Sequence, residues 1–88
     1  MTYSIVNSPK TDLIFKKLAR KDPGRLEAIT RKLEEIVENP HRFKPLSNVM
    51  KGLRRVHFGN FVLVYSIDEE NRAVVLEDFD HHDKIYRS

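Results

Sequence analysis

The stretch Leu53-Arg54-Arg55-Val56-His57-Phe58-Gly59-Asn60-Phe61-Val62-Leu63-Val64-Tyr65 consists of two runs rich in strand-forming residues on either side of a Gly-Asn pair. A two-residue turn of this composition matches the right-handed twist of paired strands, so the stretch predicts a β-hairpin. With Gly59 and Asn60 as the turn, the facing pairs are Phe58/Phe61, His57/Val62, Val56/Leu63, Arg55/Val64 and Arg54/Tyr65. Side chains alternate between faces, so Val56, Phe58, Phe61, Leu63 and Tyr65 share one side, apolar enough to receive helices. The other side receives Leu53, Arg55, His57, Val62, Val64 and Ser66. A slip of one residue would exchange the two sets.

Downstream, Asp68-Glu69-Glu70-Asn71 reads as a turn leading into a strand over residues 73–79. Continued pairing sends Val74 and Leu76 to the core and leaves Val75, Glu77 and Phe79 on the open side, with Glu77 opposite Val62. Arg55, His57 and Glu77 are then expected to converge around Val62 on a face that no helix covers. Upstream, residues 3–6 form a short strand, and Ser8-Pro9 gives an N-cap followed by the proline that favours a first helical position. That helix carries Leu13, Ile14, Phe15 and Leu18 and runs to about residue 21. Asp22-Pro23 repeats the start signal, and Leu26, Ile29, Leu33, Ile36 and Val37 recur at helical spacing until Asn39-Pro40 ends the helix. The expected fold is α+β, in the order β-α-α-β-β-β, with a helical hairpin packed on one face of an antiparallel sheet. A single domain over residues 1–88 is expected.

With 88 residues, a chain can bury a little over ~60% of its unfolded surface, enough for one modest core. Hydrophobic residues at 40% and charged residues at 33% suit a small globule rather than a disordered tail. There is no cysteine, which excludes disulfides, zinc fingers, CxxC redox sites and thiol nucleophiles. Neither a membrane span nor a signal peptide is legible, so no membrane partner and a cytoplasmic location are expected.

Charge is unevenly placed on a chain of net +3. Residues 40–60 hold Arg42, Lys44, Lys51, Arg54 and Arg55 with no acid, whereas residues 66–80 hold six acids against Arg72. An acid-free basic stretch is either a phosphate-binding surface or a solvated face, and charge alone does not choose. Within it, Arg55 suits bidentate contact to phosphate, and His57 offers an imidazole, a group suited to shuttling a proton. His81-His82-Asp83 is a weak metal motif, because adjacent histidines in an extended tail point to opposite sides. Tyr86 can stack on a nucleobase or anchor the tail. No Gly-rich phosphate loop or Ser-His-Asp order is present, and neither a cofactor nor a metal is expected.

Taken together, the hairpin above and the ending His81-His82-Asp83-Lys84-Ile85-Tyr86-Arg87 resemble the RelE/ParE toxin superfamily, in particular a RelE-type mRNA interferase of a type II toxin–antitoxin pair. The resemblance spans residues 3–86. It implies a RelE-like fold and a toxin that enters the ribosomal A site and cuts mRNA by attack of a 2′-hydroxyl on the adjacent phosphate. It further implies a RelB-like antitoxin, the ribosome and mRNA as partners, with operator DNA bound only through the antitoxin. Position by position, it implies catalytic roles for Arg55, His57, His82 and Tyr86, and RNA contacts from Lys51, Arg54, His81, Lys84 and Arg87. The sequence departs from the family pattern at Val62, where an arginine is usual. Restoring arginine there is expected to raise cleavage or leave it unchanged. The alternatives are the activity of the ParE branch, which inhibits DNA gyrase without cutting RNA, and a weakly active RNA-binding relative.

Overall fold

The computed structural model describes residues 2–45 and 52–87. Strand β1 (Ser4–Asn7) is followed by helices α1 (Pro9–Lys21) and α2 (Pro23–Glu38) and a 3-10 turn at Pro40–Arg42. Strands β2 (Leu53–Phe58), β3 (Phe61–Asp68) and β4 (Ala73–His81) then lead into a short C-terminal helix, α3 (His82–Arg87).

Both long helices start where the capping signals put them. The Ser8 hydroxyl accepts from the Thr11 amide at 3.2 Å, and the Asp22 carboxylate accepts from the Arg25 amide at 3.2 Å. Asp22 is also held at 3.0 Å by Arg25 Nε, and these bonds from Arg25 keep its carboxyl below the usual carboxylate range. The next helix stop is Asn39, before Pro40.

The hairpin of β2 and β3 has the register expected from the Gly59-Asn60 turn, from Leu53↔Ser66 to Phe58↔Phe61. Gly59 there takes φ +61°, a conformation with little steric penalty only for glycine. The sheet order is β1-β4-β3-β2. Here the structure corrects the expected antiparallel sheet, since β1 runs parallel to β4 and the sheet is mixed. The helical hairpin carries the chain from β1 to the opposite edge of the sheet, and a crossover of this length permits parallel pairing.

The main core joins Ile29 and Ile36 of α2 to Val56, Leu63, Tyr65, Val74, Leu76 and Phe79 of the sheet, with Ile14, Phe15 and Leu18 of α1 packed against it. Leu13, read as part of the apolar helix face, is 69% exposed. A second correction concerns β4. Val64 pairs with Asp78 but Tyr65 pairs with Leu76, so Glu77 is an extra residue in a β-bulge. The bulge reverses the alternation beyond it. Phe79 therefore turns into the core, stacked on Phe61 at 5.4 Å, and Asp80 rather than Glu77 faces Val62. Glu77 instead accepts a 2.7 Å bond from Ser66 Oγ.

The third correction is the most consequential for function. The sheet face expected to lack a helix is crossed by α3, whose Ile85 packs on Val62 and Val64 beside Leu53. A backbone bond from His82 to the Asn60 carbonyl, 2.7 Å long, ties the start of α3 to the hairpin turn.

Tyr65 links the sheet to the end of α2. It is fully buried, and its hydroxyl donates to the Pro40 carbonyl at 2.5 Å. Tyr65→Phe is expected to cost about 1–2 kcal/mol, read as a lower urea midpoint at unchanged m-value, because a buried carbonyl loses its donor. Burial pushes the phenol from 10.0 up to about 12. A raised folded-state pKa contributes stability that is present below pH 10 and is lost as pH climbs through about 12. The Phe variant is accordingly expected to lose less stability than the parent over that alkaline range.

Candidate functional site

Strand β2 offers Arg55 and His57 on the α3 side, two residues apart and thus on one face. Helix α3 offers His82 and Tyr86, four residues apart and thus on one helical face. Docking of Ile85 brings the two pairs together. Arg55 Nη1 donates to Tyr86 Oη at 2.6 Å, and the guanidinium lies 5.5 Å from the centre of the Tyr86 ring. The His57 and His82 rings are 5.9 Å apart and tilted by 34°, and His82 lies 4.7 Å from Tyr86. Asp83 Oδ1 lies 3.5 Å from His82 Nδ1. Beneath this cluster is an apolar floor of Val62, Val64 and Ile85. His57, His82 and Tyr86 are exposed, so the cluster forms an open patch that can receive an extended ligand.

The patch combines a cation suited to phosphate oxygens, two imidazoles able to accept or donate a proton, and a phenol ring able to stack. Residues 10–86 match the family described as the ParE toxin of the ParDE type II toxin–antitoxin system. The chain belongs to the RelE/ParE superfamily of type II toxins. An uncharacterized protein of Methanosarcina mazei is 59% identical to this toxin over 76 residues, covering 85% of this chain and 88% of its own. A Methanocaldococcus jannaschii protein named as a candidate toxin, RelE4, is 45% identical over 86 residues, covering 97% of this chain and 92% of its own. The solved RelBE2 toxin–antitoxin complex of Mycobacterium tuberculosis superposes with a TM-score of 0.79 at 26% identity, covering 92% of this chain and 99% of that one.

Of the positions singled out in the toxin's sequence, Arg55, His57, His82 and Tyr86 are the four that come together. The others separate. Arg54 turns to the far side of the sheet, where its Nη1 donates to the carbonyls of Phe43 at 2.7 Å and His41 at 3.3 Å. His81, the last residue of β4, packs edge-on to Phe61 at 5.5 Å. Lys84 is exposed and lies on the opposite side of α3 from His82 by helical periodicity. Lys51 lies outside the described residues, as does the side chain of Arg87. Glu77, expected near Val62, is drawn to Ser66 by the bulge.

Two contributors to the toxin's patch were missed. Ile85 is the peg that seats α3, and Asp83 sits beside His82. The available signal was the spacing His82, Ile85, Tyr86, which is helical and puts the three on adjoining faces. Val62, the departure from the family pattern, is fully buried under Ile85. Position 62 thus forms part of the floor beneath α3.

Proposed function

We propose that this toxin is a ribosome-dependent mRNA endonuclease and that the patch of Arg55, His57, His82 and Tyr86 is its active site. The observation that carries the reading is the convergence of two imidazoles, a guanidinium and a phenol on one open surface. In the proposed reaction, the 2′-oxygen forms a bond to the adjacent phosphorus while the bond from phosphorus to the 5′-oxygen breaks. One imidazole takes the 2′-hydroxyl proton, and the other, as imidazolium, gives a proton to the departing 5′-oxygen. The products are a 2′,3′-cyclic phosphate and a 5′-hydroxyl. Arg55 neutralises charge growing on the non-bridging oxygens, and Tyr86 stacks on the substrate base.

Arg55 is the only guanidinium in the patch among the described residues, so correct placement of the message carries much of the catalysis. The ribosome supplies that placement, an effect worth several kcal/mol. Primer extension on ribosome-bound message is expected to show cuts within codons, with naked RNA left intact. Equal cutting of naked RNA would sink the ribosome dependence.

The matched family is described by its ParE members, and this supports a second reading in which the toxin inhibits DNA gyrase. Loss of supercoiling activity with intact message would favour it. Under either reading an antitoxin is the partner, as in the M. tuberculosis complex. Co-expression with a RelB-like neighbour-encoded protein is expected to relieve growth arrest and yield a co-purifying complex. Operator DNA is expected to bind that complex and not the toxin alone. Among the described residues, no helix is long and apolar enough to cross a membrane.

A further inference from the structure

Around the hairpin tip from the patch, on the α2 side, lies a second concavity of about 480 Å³ lined by Asp22, Arg25, Phe58, Gly59, Asn60 and Phe61. The centre of the Arg25 guanidinium sits 4.2 Å from the centre of the Phe61 ring, and Asp22 Oδ2 holds its Nε at 3.0 Å. Phe61 is itself stacked on Phe79 at 5.4 Å, so the platform beneath Arg25 is rigid. One side of the guanidinium is thus covered, yet 35% of the Arg25 side chain remains exposed. Arg25 is among the residues that line the concavity. Gly59 leaves room in it, since a Cβ built there meets nothing within 4 Å.

We infer that this concavity is a nucleobase subsite, in which a single-stranded RNA base stacks on the outer face of Arg25. Three physical points select a base. Arg25 and Asp22 neutralise one another, so the pair offers a flat surface and hydrogen-bonding edges but little net attraction for a phosphate. Single-stranded RNA is read by stacking of unpaired bases on aromatic rings and arginine planes. The pocket also adjoins the patch: Phe58 and Phe61 are the next pair along the hairpin from His57 and Val62. Gly59 and Asn60 line the concavity, and the backbone of His82, a patch residue, bonds the Asn60 carbonyl, so a chain passing over the hairpin tip runs from the patch towards Arg25. The inference rests on RNA being the ligand of the patch, and it assigns to Arg25 and Asn60 a part in choosing which messages are engaged.

The test is binding of 2′-O-methyl hexanucleotides, which cannot be cut, to the full chain in free solution. In one series an abasic site is walked along the oligonucleotide. The expected result is that one abasic position weakens binding roughly tenfold, the size of one lost base stack. The same abasic position is expected to abolish the ligand-induced shifts of the Gly59 and Asn60 amide resonances. In Arg25→Ala, that abasic site is expected to make no further difference. Arg25→Lys, which keeps the charge and the Asp22 partner but not the plane, is expected to bind as Arg25→Ala does. The inference is overturned if abasic and intact oligonucleotides bind alike, if Arg25→Lys binds like the parent, or if the Gly59 and Asn60 signals never move. Failure of the nuclease reading shows elsewhere, as absence of cleavage on ribosomes while the oligonucleotide response at Gly59 and Asn60 persists.

Discussion

Arg55→Ala is expected to lower cleavage on programmed ribosomes by about 10²–10³-fold, the usual effect of removing one preorganised stabiliser of transition-state charge. The size follows from the composition of the patch. Arg55 is its only described guanidinium, and the imidazoles are committed to proton transfer in the proposed reaction. The same substitution removes the 2.6 Å bond to Tyr86 Oη and so loosens the ring that stacks on the substrate. Tyr86→Ala is expected to cost roughly 1–3 kcal/mol through lost stacking, whereas Tyr86→Phe should keep most activity because the ring remains. Initial rates of cleavage give these numbers. Retained antitoxin binding and an unchanged melting temperature separate them from misfolding, since neither Arg55 nor Tyr86 lies in a buried cluster. Full toxicity in folded Arg55→Ala and Tyr86→Ala proteins would overturn the site assignment while leaving the family membership intact.

Val62→Arg is expected to abolish cleavage and lower stability by roughly 3 kcal/mol or more, the scale of taking a guanidinium out of water. This reverses the expectation from sequence, in which restoring the family arginine raised activity or left it unchanged. Val62 is 0% exposed, with Ile85 packed over it. A guanidinium there must either be desolvated under Ile85 beside Asp80, its cross-strand neighbour, or push α3 off the sheet. The second outcome separates His82 and Tyr86 from Arg55 and His57, because Ile85 is what seats them. Urea denaturation measures the stability loss, and loss of contacts between the Arg55 and Tyr86 side chains by NMR reports undocking. An Ile85→Ala variant, which empties the same contact without adding charge, is expected to show the undocking signature with a smaller loss of stability. A Val62→Arg protein that melts like the parent and cuts faster would refute the account of the floor.

Much of this toxin was legible in its local sequence, because the signals concerned act within a few residues. Ser8-Pro9 and Asp22-Pro23 start the two helices by capping and by the fixed φ of proline, and Asn39-Pro40 stops the second. Gly59-Asn60 sets the turn, and the turn sets the register that puts Arg55 and His57 on one face. The family was readable for the same reason, since its motifs lie on that hairpin and on the tail. What only the tertiary structure decided involves partners far apart in the chain. Ser4 pairs with Ala73 in parallel, and no local pattern distinguishes that edge from the other. The bulge at Glu77 arises where β4 must satisfy two demands, Leu76 under the helices and Phe79 against Phe61, and regular alternation cannot place both in the core. The tail reads as strand or coil by itself, since six residues are too few to hold a helix without packing. It becomes α3 because Ile85 gains a buried site on Val62 and Val64, and that one long-range contact brings His82 and Tyr86 to Arg55.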